Sequence, residues 1–245
     1  PSFIRSIAAC DCNAEVGSAL YLLARTPQGS QNIIQNIDLL LNRIEAPEIY
    51  LIFLRLGAFY PHTIREIPQI NRKILKSLEN HQYLEITLRL IGVLLDGKEY
   101  IEGNPRMFDA LNKLLDDYTP TNIELSMILG VFYNMACYDP PTAIPDKVFR
   151  IAQNNQKYSG LAFRIIACCP VPDVDSIYSG LLIDLLKRYF MSNDEYGVMG
   201  ACELLDAIYN NGGYGDLQLG GLLNAAIIQQ TQPGLIARIL LTISR

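Results

Sequence analysis

Only two histidines, His62 and His81, occur in 245 residues, and both fall at the ends of helical segments. A His-x-x-x-His zinc pair is absent, and a Ser-His-Asp or Cys-His triad would have to use one of these two turn residues. The sequence also lacks a Gly-x-Gly-x-x-Gly turn after a strand, a phosphate loop, a Gly-x-Ser-x-Gly elbow and a kinase signature. Acidic pairs such as Asp116-Asp117 stand without a companion at the polar end of a helix, short of the aspartate-rich motif that metal-dependent prenyl-transfer or terpene chemistry needs. Catalysis has no anchor here, so the chain reads as non-enzymatic, with no catalytic residue, no cofactor and no metal.

Positive charge is scarce as well. Twenty Lys and Arg stand against twenty-five Asp and Glu, a net charge of −5, which leaves no basic footprint for nucleic acid. The longest uncharged stretch, 217–237, is interrupted by Gly220, Gly221, Asn224, four glutamines and Pro233. A membrane span would need about 20 predominantly apolar residues, so none is expected. Cys10-Asp-Cys12 lacks Cys-x-x-Cys spacing and has no second pair beside it. Of the six cysteines, Cys137, Cys168, Cys169 and Cys202 lie in apolar helical patterns, where cysteine behaves as a small hydrophobe. They read as reduced, which favours an intracellular, cytoplasmic location. The abrupt Pro1, the missing leader and the uncharged last segment read as the edges of a fragment excised from a longer chain, forming one domain over 1–245.

What is present is helix. Half of the residues are hydrophobic, enough for a sizeable core, and apolar positions recur at i, i+3, i+4, i+7 with almost no period-two alternation. The spacing predicts an all-α fold of paired segments: 2–10 with 13–25, 30–43 with 47–60, 63–78 with 82–96, 105–118 with 122–138, 145–154 with 157–169, 173–191 with 193–210, and 216–229 with 233–244. Pro47, Pro105, Pro145 and Pro233 suit first helical positions, where a missing N–H costs nothing. Thr121-Asn-Ile-Glu124 and Ser192-Asn-Asp-Glu195 have capping-box spacing. Pro68 should kink or split the segment 63–78.

The second members begin every 34 to 40 residues or so, the period of stacked helical hairpins. Leu54-Arg-Leu-Gly-Ala-Phe59, Leu90-Ile-Gly-Val-Leu94 and Ile128-Leu-Gly-Val-Phe132 share an apolar-Gly-small-apolar core, with Gly57, Gly92 and Gly130 spaced by 35 and 38. A glycine inside a helix costs about 1 kcal/mol relative to alanine, so the recurrence predicts close approach of neighbouring helices.

With these repeats the chain resembles the armadillo and HEAT family of α-solenoids across all seven pairs. The resemblance implies a right-handed superhelix of about seven stacked hairpins. Ile128-Leu-Gly-Val-Phe-Tyr-Asn-Met-Ala136 is most similar to the last helix of an armadillo repeat, and Asn134 matches the asparagine that holds a bound peptide backbone there. The matching places after Gly57 and Gly92 are Pro61 and Asp96, a departure from an extended asparagine ladder.

Aligned on the apolar core, the second helices place Tyr21, Arg55, Arg89, Arg164, Glu203 and Arg238 at similar depth, with Ile128 in the fourth pair. The arginines read either as a ladder gripping an acidic or phosphorylated segment, or as inter-repeat salt bridges to Glu48, Glu85 or Asp206. Tyr21, Tyr60, Tyr133, Tyr138 and Tyr209 read as groove or as core. Lys98 to Asn104 is a candidate recognition loop. The expected function is a protein-interaction module that binds a peptide or protein partner along a concave surface. The alternative is a regulatory or scaffolding segment docked onto a catalytic domain, such as a kinase, through its ends or outer face.

Overall fold

The structure, a computed structural model, describes residues 4, 6, 14–41, 47–67, 70–79, 81–95, 104–138, 140–141, 145–155, 157–169, 177–210, 223–224, 226–228, 230 and 232–244. Among the described residues there is helix and no strand, as the periodicity predicts. The chain divides into two compact units, Pro1–Asn134 and Met135–Arg245. Cys10-Asp-Cys12, most of the loop after Lys98, the Gly-rich stretch after Asn210 and most of the segments 2–10 and 216–229 lie outside the described residues.

Unit 1 contains α1 (Ala14–Leu23), α2 (Pro27–Ile34), α3 (Ile37–Leu41), α4 (Pro47–Phe59), α5 (Pro61–Arg65), α6 (Ile70–Leu78), a 3₁₀ turn (His81–Tyr83), α7 (Leu84–Leu95), α8 (Asn104–Asp117) and α9 (Asn122–Tyr138) as far as Asn134. α1 packs on α4 and α4 on α7, while α6 backs onto α7 and α8. α4 shows why: Ile49, Ile52, Phe53 and Leu56 recur at helical spacing and are fully buried. Each such side chain contributes about 1.5–3 kcal/mol by leaving water. Phe108 of α8 meets Phe132 of α9 with ring centroids 5.2 Å apart.

Several local expectations hold. The segment around Pro68 is split into α5 and α6, and the Arg65 side chain ties α5 to the Leu94 carbonyl near the end of α7. Thr121 and Glu124 form the reciprocal box: the Thr121 N–H donates to Glu124 Oε2 at 2.8 Å, and the Glu124 N–H donates to Thr121 Oγ1 at 3.3 Å. Thr121→Ala is expected to cost about 1 kcal/mol; a shift in the urea midpoint with an unchanged slope would register it.

Others are corrected. Segment 30–43 begins earlier, because Thr26 caps α2 by accepting the Gly29 N–H with Pro27 behind it. It also breaks before α3, where the Asn36 side chain takes the Asn32 carbonyl and its N–H turns to Ile33 in a tighter bond. Pro145 is the cap residue rather than the first helical one, since its ψ of 126° is extended. The Ser192 box does not form: the Ser192 hydroxyl accepts the Asp194 N–H at 3.2 Å and donates to the Tyr189 carbonyl.

Unit 2 contains α10 (Asp146–Asn154), α11 (Ser159–Cys168), α12 (Ile177–Phe190), α13 (Glu195–Asn210) and α14 (Pro233–Ile243). α11, α13 and α14 pack in succession, with α10 against α11 and α12 against α13. Here two glycines on adjacent helices meet backbone to backbone. A Cβ on Gly200 would sit 2.6 Å from the Gly160 carbonyl oxygen, and one on Gly160 would fall on the Tyr196 carbonyl. The repeated glycines behave otherwise. Gly57 does face a neighbour, with Val93 Cγ1 3.3 Å from its missing Cβ, but Gly92 and Gly130 have nothing within 4 Å.

Candidate functional site

The space beside Gly92 belongs to a groove of about 510 Å³ in unit 1, lined by Leu54, Ala58, Arg89, Gly92, Val93 and Asn134. Three helices build it. Burial of Ile52, Phe53 and Leu56 turns Leu54 and Ala58 of α4 to the other face. α7 buries Leu88, Leu90 and Ile91 and so presents Arg89, Gly92 and Val93. On α9 the buried Val131, Phe132 and Met135 leave Asn134 exposed. An apolar floor is thus bordered by one guanidinium and one carboxamide. Asn134 can both donate and accept, which suits a peptide backbone.

The electrostatics separate the four arginines. Arg89 Nη2 lies 2.6 Å from Glu85 Oε1 one turn back, and their side chains are 54% and 47% exposed. Such a pair is worth about 0.3–0.5 kcal/mol, so a ligand carboxylate or phosphate can displace Glu85 at small cost. Arg238 Nη2 is also 2.6 Å from a carboxylate, Asp206 Oδ2, but these side chains are 21% and 8% exposed. That bridge joins α14 to α13. Arg164 Nε is 2.9 Å from Glu203 Oε2, joining α11 to α13. These two are the inter-helix ties that one of the two sequence readings describes. Arg55 does not line the groove: its Cζ stands 4.2 Å above the Phe59 ring, in the wall of a separate cavity of about 130 Å³ with Arg25, Thr26 and Tyr60.

Tyr21 is partly exposed and lines an apolar cavity of about 240 Å³ with Gly17, Leu22, Glu48 and Leu51. Tyr60 and Tyr133 are half-buried and Tyr138 is exposed; the side chain of Tyr209 lies outside the described residues. A cavity of about 370 Å³ is lined by Glu79, His81, Lys113 and Asp117 with Leu78, Ala110 and Leu114. The His81 ring meets Tyr118 at 4.4 Å between centroids with the planes tilted by 46°, and among the described residues no hydroxyl or thiol lines that cavity.

The groove brings together Arg89 and Asn134, both singled out in the sequence, over an apolar floor that the sequence does not show, because Gly92 reads there as a packing contact. Leu54 and Ala58 share one face of α4, and Arg89, Gly92 and Val93 share one face of α7; those i, i+3 and i, i+4 spacings are the available signal. Among the described residues, no group of three or more His, Cys, Asp or Glu is placed to hold a metal ion. No helix among them is long and apolar enough to cross a membrane. Comparison of the chain with protein-family models, with curated proteins and with solved structures gives no match.

Proposed function

We propose that the chain is a non-enzymatic interaction module of armadillo or HEAT-like helical-repeat type, and that it holds an extended acidic or phosphorylated peptide in the groove of α4, α7 and α9. The observation that carries this reading is the pairing of exposed Arg89 and Asn134 over the apolar floor of Leu54, Ala58 and Val93. The successive packing α1–α4–α7 in unit 1 and α11–α13–α14 in unit 2 supports the repeat architecture. Asn134 would bond the ligand backbone, Arg89 an acidic side chain or phosphate, and the floor the apolar residue between.

The test is a peptide array containing acidic and phosphorylated sequences, probed with the parent and with Arg89→Ala/Asn134→Ala. Retained helical signal with at least about a tenfold loss of affinity, 1.4 kcal/mol, is expected. Equal affinity of the two proteins would exclude the groove.

A second reading, docking onto a catalytic domain through an end, is favoured by Leu240 and Leu241 on α14, which are 50% and 48% exposed. Leu240→Ser/Leu241→Ser would then abolish capture of such a domain while leaving peptide binding intact.

A further inference from the structure

Cys137 lies in an apolar helical pattern, which predicts a small hydrophobe, but in the structure it is exposed. Its sulfur lies 3.9 Å from that of Cys168, which is half-buried, and both are free thiols. Cys137 is in the last turn of α9, and Cys168 is the final residue of α11. Helix ends adjust more readily than interiors, because their last carbonyls have no intrahelical partner. Two sulfurs in van der Waals contact need only approach to about 2.05 Å to bond. The adjacent Cys169 cannot compete, since it is turned into the core and donates to the Ile165 carbonyl at 3.3 Å. Cys202 is fully buried.

We propose that Cys137 and Cys168 are a reversible redox pair, closed to an intramolecular disulfide by a peroxide. The order of events follows from access. The exposed Cys137 thiolate attacks one peroxide oxygen, the O–O bond breaks, and the departing hydroxide takes a proton to become water, leaving a sulfenic acid on Cys137. The Cys168 sulfur then attacks the Cys137 sulfur, the S–O bond breaks, and the second hydroxide leaves with the Cys168 proton as water. Two thiols give up two electrons and the peroxide becomes two waters. Burial, reinforced by the neighbouring Cys137 and then by Cys169 and Glu203, pushes the Cys168 thiol up to about 12. It therefore stays protonated at neutral pH and serves as the second thiol rather than the first. The bridge spans 31 positions, ties the end of α9 to the end of α11 and encloses α10. A thiol reductant reopens it by exchange.

The experiment uses the full chain, reduced, exposed to equimolar hydrogen peroxide, blocked with N-ethylmaleimide and mapped by mass spectrometry after non-reducing digestion. One Cys137–Cys168 link, lost on treatment with dithiothreitol, is expected. Cys168→Ser should accumulate sulfenic acid on Cys137 that dimedone traps, and Cys137→Ser should leave Cys168 as a thiol. Conversion of Cys137 to sulfinate in the parent, a link to any other cysteine or between chains, or equal oxidation of Cys168 in Cys137→Ser would overturn the proposal. Circular dichroism of both serine variants confirms that the fold is kept.

Discussion

Phe163→Ala is expected to destabilise the protein by about 4 kcal/mol, the middle of the range for loss of a buried aromatic ring. The ring is fully buried in α11 and meets Tyr189 of α12 edge-on, with centroids 4.9 Å apart and planes at 85°. Tyr189 in turn donates its hydroxyl to the Ala152 carbonyl of α10 at 3.0 Å. Phe163 Cβ would stand 3.0 Å from a Cβ on Gly200, so the same side chain also fills the crossing with α13. Its removal leaves a cavity where four helices of unit 2 meet, and Tyr189 loses the ring that orients it. Tyr189→Phe, which removes only the hydroxyl, should cost about 1–2 kcal/mol. Urea denaturation of the two variants measures the difference, and a loss under about 1 kcal/mol for Phe163→Ala would contradict this packing.

Gly160→Val should cost about 3 kcal/mol for a different reason, overpacking against backbone. The new Cβ would overlap the Tyr196 carbonyl, and Gly200 offers the reciprocal clash from α13. A carbonyl oxygen of a helix has no rotamer to change, so α11 and α13 must separate along their contact. Gly92→Ala provides the contrast, because nothing lies within 4 Å of that missing Cβ. It should be neutral or stabilising by up to about 1 kcal/mol through helix propensity. Thermal or urea unfolding decides between them: similar effects of the two substitutions would show that the Gly160–Gly200 crossing is not a close one. Since Phe163 and Gly160 share the crossing, the double variant should lose less than the sum of the single ones.

The sequence made the helical class legible because amphipathic periodicity depends only on which residues are apolar. The Thr121 box and the split near Pro68 were legible for a similar reason, since each is decided within four or five residues. What escaped it depends on neighbours distant in sequence. Gly57 and Gly92 sit in the same local motif, yet one faces Val93 and the other faces the groove. Gly160 and Gly200, which do form a tight crossing, lie in motifs that did not align with that repeat. Cys137 follows an apolar pattern, but at the last turn of α9 the pattern no longer determines burial. The arginine column divides for the same cause. Arg89 meets its own helix's Glu85 in water, whereas Arg238 meets a buried Asp206 on α13.

Amide hydrogen exchange followed by mass spectrometry, on the full chain with and without a saturating array-selected phosphopeptide, tests the central claim most directly. The groove account predicts slowed exchange confined to the α4, α7 and α9 segments around Leu54, Gly92 and Asn134, and no such change in Arg89→Ala/Asn134→Ala at the same peptide concentration. Protection centred on α13 and α14, or protection that survives the double substitution, would contradict it.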